Sequence, residues 1–277
     1  MSVSVSCVSN QEDRIRCILM EHSEVIEREL PPADGWGLSF YQRGELLKRI
    51  LPFTEKKKTC IADLIGEVEC QFLIGHLREA TTGDSGRENI HPFQFKKWSF
   101  AHNGTVHFFS SIREQMLENM PPFIRRGIKG NTDSEHIFHL FLSFLHDEGQ
   151  LERDECSSET VQKALFQTLS TISILASEHG AEQTASSYML CNGRSLFVLS
   201  KGTPTYYTLL EGIQDCEVCR RQTAQPGKDM RQIDHPNLKA VLVVSGIEID
   251  NPAWARIDEN SLLSVSSSMA LDIRDFV

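Results

Sequence analysis

Three features of the 277-residue chain predict an α+β fold: strand-like segments fill the first third, two helical segments follow, and strand character returns near the end. The regular strand-helix alternation of a parallel α/β chain is missing. A composition of 40% apolar and 24% charged residues is that of a soluble globular protein, long enough to bury one large core or two modest ones, and one large domain is the simpler reading. One domain over 1–277 is therefore expected.

The strand segments lie at 2–9, where valine alternates with small polar residues, at GLSFY (37–41), at CQFLIGHL (70–77) and at KWSFAH (97–102). A fifth stretch, YMLCNGRSLFVLS (188–200), carries Asn192-Gly193, the favoured pair for a tight hairpin turn. The first helix opens at Thr132 with Glu135 three residues on, a capping-box pattern, and sets Ile137, Leu140, Phe141, Phe144 and Leu145 on one face. The second follows Ser157 and runs through Val161, Leu165, Leu169, Ile172 and Ala176 to a stop at Gly180. Residues 213–237 are polar and without period, a long excursion before strand character resumes at KAVLVVSG.

Charge excludes some partners. Lys plus Arg total 28 against 38 Asp plus Glu, a net charge of −10, so the basic field that nucleic acid or anionic lipid requires is lacking. No apolar run approaches the ~20 residues of a membrane span, and the opening residues do not form a signal peptide. A cytoplasmic protein with free thiols is expected. Cys216 and Cys219 form a lone CxxC without a second pair at zinc-site spacing, so neither a metal nor a cofactor is expected.

Chemistry concentrates in loops that follow strands. In ADGWG (33–37) two glycines flank Trp36 and allow close backbone approach, or simply a turn. Arg78, in GHLREATTG (75–83), suits a carboxylate through paired hydrogen bonds, though a surface ion pair is the plainer reading. In FAHNGTV (100–106) the Asn103 amide and the Gly104 N–H form either a hairpin turn or two donors for a developing oxyanion. Asp133, in GNTDSEH (130–136), sits at a helix start, where capping alone explains it. His136 and His139 have metal-ligand spacing but no evident third partner.

Taken in order, DGWG, GHLREAT, ENIHPF (88–93), FAHNG and NTDSE resemble the class II glutamine amidotransferases of the N-terminal nucleophile hydrolase superfamily. The likeness extends over nearly the whole chain. It is strongest to the free-standing group that includes the γ-glutamyl hydrolase of ergothioneine synthesis. The resemblance implies a four-layer αββα sandwich of two antiparallel sheets and cleavage of a γ-glutamyl amide, glutamine or a conjugate. It also implies that Arg78 clamps the substrate α-carboxylate, Asp133 holds the α-ammonium, Asn103 and Gly104 form the oxyanion hole, and Thr81 lines the pocket. Trp36 and His91 fall in matching motifs. A separate synthase subunit that receives ammonia is a further implied partner.

The departure from the family is at the nucleophile. Relatives begin Met-Cys and use the exposed cysteine after loss of methionine; here Ser2 holds that place. Three readings stand. Ser2 acts as nucleophile with its own α-amino group as base; or a six-residue propeptide is cut to expose Cys7; or the pocket binds glutamine without turnover, as a sensor.

Overall fold

The computed structural model describes residues 2–28, 30–31, 33–57, 65, 68–79, 86–180, 184–223 and 231–276, the side chains at 28 and 54–57 excepted. Thirteen named strands among them form two antiparallel sheets. The first contains β1 (Val3–Ser9), β2 (Ala33–Gln42), β3 (Glu45–Lys57), β4 (Phe72–Arg78), β9 (Thr205–Ile213), β10 (His235–Ser245) and β11 (Ala255–Arg256), in the order β11-β9-β10-β1-β4-β2-β3. The second contains β5 (Phe93–Phe95), β6 (Trp98–Asn103), β7 (Ser186–Cys191), β8 (Ser195–Lys201), β12 (Ser261–Ser266) and β13 (Leu271–Asp275), in the order β13-β12-β8-β7-β6-β5.

Helices cover the outer faces. α1 (Ile15–Glu21), α2 (Ser23–Arg28) and α7 (Glu217–Thr223) belong with the first sheet; α3 (Phe109–Glu118), α4 (Pro122–Arg125), α5 (Asp133–Asp147) and α6 (Ser158–Ser177) pack on the second. This is the αββα sandwich.

Alternation along β1 shows how the layers are built. Val3, Val5 and Cys7 join the apolar layer under α1 and α2, whereas Val8 joins the layer between the sheets with Ile74, Val198, Val243 and Leu263. Each such aliphatic side chain contributes about 1.5–3 kcal/mol on burial. Towards the start of β1 the inter-sheet layer turns polar. Gly37, His76, Ser4, Ser245 and Thr205 lie in register across the first sheet, and Asn103, Ser187, Ser200 and Ser261 across the second. These two rows end the apolar core and begin the site.

The helix caps differ in detail from the expected pattern. Thr132 Oγ1 accepts from the Glu135 N–H at 3.2 Å, but the Glu135 carboxylate does not return to Thr132. It accepts instead from the backbone N–H groups of Lys129 (2.9 Å) and Gly130 (2.7 Å), which secures the loop before α5. Ser157 caps α6 through the Thr160 N–H, and Asn192 Oδ1 holds the 191–195 hairpin by accepting from the N–H groups of Arg194 and Ser195. The 213–237 excursion contains α7, and β10 begins within it at His235.

Candidate active site

Ser2, Arg78, His91, Asn103, Gly104 and Asp133 line one cleft of about 550 Å³ at the polar end of the sandwich. Five segments deliver them: the start of β1, the end of β4, the 88–93 loop, the end of β6 and the start of α5. The Ser2 hydroxyl accepts from the Glu79 N–H at 2.9 Å and donates to the Glu79 carbonyl at 3.2 Å, so β4 fixes it. Asn103 is 1% exposed; its Oδ1 accepts from Ser4 Oγ at 3.0 Å and its Nδ2 donates to the Ser245 carbonyl at 3.1 Å. A carboxamide nitrogen carries two hydrogens, so one N–H remains for another acceptor.

Gly104 has a φ of +151°, and a β-carbon there would lie 2.5 Å from His102 Nε2. Glycine at this junction lets the backbone pass over the His102 ring. That ring stacks on Tyr188 with centroids 4.8 Å apart, and its Nδ1 shares a 2.9 Å hydrogen bond with Ser134 Oγ. Asp133 accepts from the Val106 N–H at 2.7 Å and from the Ser134 N–H at 2.8 Å, which holds its carboxylate at the cleft wall.

Trp36 is not part of this cleft. Alternation along β2 turns it to the helix layer, where it packs near Val5 and Leu19. The useful residue of DGWG is its second glycine: a β-carbon on Gly37 would meet the His91 carbonyl oxygen at 1.9 Å. That close approach lays the 88–93 loop on β2 and brings the His91 ring within 4.2 Å of His76, centroid to centroid. Thr81 lies outside the described residues. Cys7 lies inside β1 on the helix side, fully buried, with burial pushing its thiol far above the ordinary value. Such a thiol is a core side chain.

Residues 23–270 match the family model for class-II glutamine amidotransferases. The chain belongs to this family. Among its curated relatives, the Saccharomyces cerevisiae protein DUG3, named a probable glutamine amidotransferase, is 27% identical over 150 residues, 50% of this chain and 42% of DUG3. The chain thus spans less than half the length of that relative. Two solved structures share the fold. A glutamine aminotransferase class-II domain protein of Silicibacter pomeroyi has a TM-score of 0.63 at 18% identity over 99% of both chains. The glutamine phosphoribosylpyrophosphate amidotransferase of Bacillus subtilis has a TM-score of 0.56 at 13% identity, covering 99% of this chain and 49% of its own.

In this class-II amidotransferase the cleft is backed by neutral imidazoles. Burial pushes His76 down to about 3, reinforced by His102 and Arg78, and His102 down to about 4, opposed by Asp133. Burial also carries His91 well below its ordinary value, with His76 and His102 adding to the effect. At neutral pH these rings bring no positive charge to the cleft.

Sequence reading missed Gly246, Ser4 and Ser245. Gly246 has a φ of +97°, and a β-carbon there would lie 2.2 Å from the Ser2 carbonyl oxygen. The Ser245 hydroxyl lies 2.6 Å from Ser187 Oγ and 2.9 Å from Thr205 Oγ1, completing the floor. VVSG read as a strand end carries no sign of this; the signal is glycine where β10 leaves the sheet.

Among the described residues, His136 and His139 belong to no cluster of three or more candidate metal ligands. Their Nδ1 atoms bond the carbonyls of Thr132 and Glu135, and His136 Nε2 accepts from Arg113. The CxxC pair does not stand alone in the fold. Cys216 and Cys219 meet Cys17 and His235, with one donor atom from each residue all within 4.8 Å of one another. No helix among the described residues is long and apolar enough to cross a membrane.

Proposed function

We propose that the protein hydrolyses a γ-glutamyl amide through an ester on Ser2. With Met1 removed, the free α-amino group takes the Ser2 hydroxyl proton as Oγ attacks the γ-carbonyl carbon. The oxyanion is met by the free N–H of Asn103 Nδ2 and by the Gly104 N–H. Collapse breaks the C–N bond, the ammonium formed on the α-amino group returns the proton to the departing nitrogen, and water hydrolyses the ester by the same route. Arg78 binds the α-carboxylate and Asp133 the α-ammonium.

The observation that carries this reading is the convergence of Ser2, Arg78, Asn103, Gly104 and Asp133 on one cleft. A serine hydroxyl is a weaker nucleophile than a thiolate, so turnover of glutamine is slow. A second hollow of about 480 Å³ shares His102, Thr105, His107 and Thr184 with the cleft and continues over Phe166, Leu169 and Ile172. This room beside the scissile bond favours a γ-glutamyl conjugate with a sizeable, partly apolar amine over transfer of ammonia to a docked synthase.

The test compares release of ammonia from glutamine with release of amine from γ-glutamyl anilides and γ-glutamyl dipeptides. Faster cleavage of the bulkier substrates supports the proposal. Binding of all of them without release of either product contradicts it and leaves a sensor.

A further inference from the structure

Cys17 on α1, Cys216 and Cys219 around the start of α7, and His235 at the first position of β10 are all buried. The four come from three chain segments that are remote in sequence. Their donor atoms lie within 4.8 Å of one another, and Cys17 Sγ is 3.6 Å from Cys219 Sγ. That separation is far beyond the ~2.05 Å of a disulfide. It is close to the edge of a tetrahedron around zinc, roughly 3.8 Å for Zn–S bonds of about 2.3 Å.

Two further observations point to an ion at the centre. His235 Nε2 is buried with no hydrogen-bond partner, which is costly for an imidazole unless a ligand takes the lone pair. Arg14 Nη1 approaches Cys219 Sγ at 4.0 Å. Three thiolates, one neutral imidazole and a divalent ion carry a net charge of −1, and the guanidinium stands beside it. We propose that these four residues bind one zinc ion in a closed Cys3His site that ties the 213–235 connection to α1. Four protein ligands leave no open position, so the site is structural.

Its position explains the polar excursion between β9 and β10. His235 pairs with Ile213 across the base of the connection, and the Cys216 N–H donates to the Ile233 carbonyl at 2.7 Å. These contacts close the loop, and α7 rests against α1. A metal clip adds a cross-link to the apolar contacts that Ile213, Val218 and Ile233 make with the core. No residue is shared with the cleft, so the site stands independently of the Ser2 reaction.

The experiment uses the full chain purified under reducing conditions, with metal content measured by mass spectrometry. About one zinc per chain is expected. Titration of the chelator-stripped protein with cobalt(II) alone produces the thiolate charge-transfer and d–d bands of a tetrahedral sulfur-rich site, and added zinc bleaches them. Cys17→Ser and His235→Gln weaken metal retention against a competing chelator by at least about tenfold; Cys156→Ser and Ser2→Ala leave it unchanged. Stripping zinc from the unsubstituted chain lowers its melting temperature by several degrees, and zinc restores it, which keeps the test valid if a variant fails to fold. Absence of cobalt bands in the unsubstituted chain overturns the proposal. So does equal retention in Cys17→Ser, a stoichiometric metal other than zinc, or a Cys17–Cys219 disulfide in the reduced preparation.

Discussion

Ser4 and Asn103 join the two sheets at the floor of the cleft: Ser4 Oγ in β1 donates to Asn103 Oδ1 in β6 over 3.0 Å. The bond fixes which way the carboxamide points, and the Ser245 carbonyl holds the other end. Asn103→Ala removes an oxyanion donor and lowers kcat by about 10²–10³. Ser4→Ala leaves the donor in place but frees its orientation, so kcat falls by roughly tenfold with KM unchanged. Steady-state release of amine from a γ-glutamyl substrate measures both. A loss in KM alone for Asn103→Ala contradicts the assigned role.

Gly246 sets where the chain start lies. Gly246→Ala drives a methyl group against the Ser2 carbonyl, 2.2 Å away before relaxation, in a left-handed backbone region that favours glycine. The expected result is a folded protein, judged by circular dichroism, with activity reduced at least about a hundredfold. Near-normal activity shows that Ser2 need not hold its observed position.

In the proposed reaction Arg78 and Asp133 recognise the two charges of the amino-acid end. Arg78→Lys replaces a planar fork by a point charge and raises KM more than it lowers kcat. Substrates without the α-carboxylate respond little to that change. Equal losses for substrates with and without the carboxylate assign Arg78 a purely structural part.

Buried imidazoles make the fold acid-sensitive. His76, His102 and His139 are held at about 3, 4 and 4 against an ordinary value near 6.5, in each case chiefly by burial. The unfolded chain therefore binds more protons than the native one between those values and about 6.5. Their contribution is complete above about pH 6.5 and declines as pH falls through that window. Urea unfolding at about pH 5 has a lower midpoint than at about pH 7.5; equal midpoints contradict the burial argument.

Much of the cleft lining was legible because its motifs are local. HNG, TDSE and REAT each place a cleft-lining residue next to the strand or helix end that positions it, so order and spacing identify the motif. Trp36 shows where this stops. Which face it occupies depends on the register of β2 against β4, and motif identity alone does not carry that information. Ser4, Ser245 and Gly246 are common residue types whose roles arise only where β1 and β10 pair. Cys17 and His235 lie far from the CxxC in sequence, and folding alone assembles the four ligands. The strand β3 escaped notice because it is an edge strand with an interleaved charge pattern, including Glu45, Lys48 and Arg49.

Covalent capture tests the central claim most directly. The purified chain is incubated with a diazoketone analogue of glutamine, its intact mass is measured, and the adduct is mapped by peptide fragmentation. The account predicts one adduct per chain on the N-terminal serine, with Met1 absent, blocked by excess glutamine and abolished in Arg78→Ala. An adduct on Cys7, or no adduct on a chain whose first residue is Ser2, contradicts it.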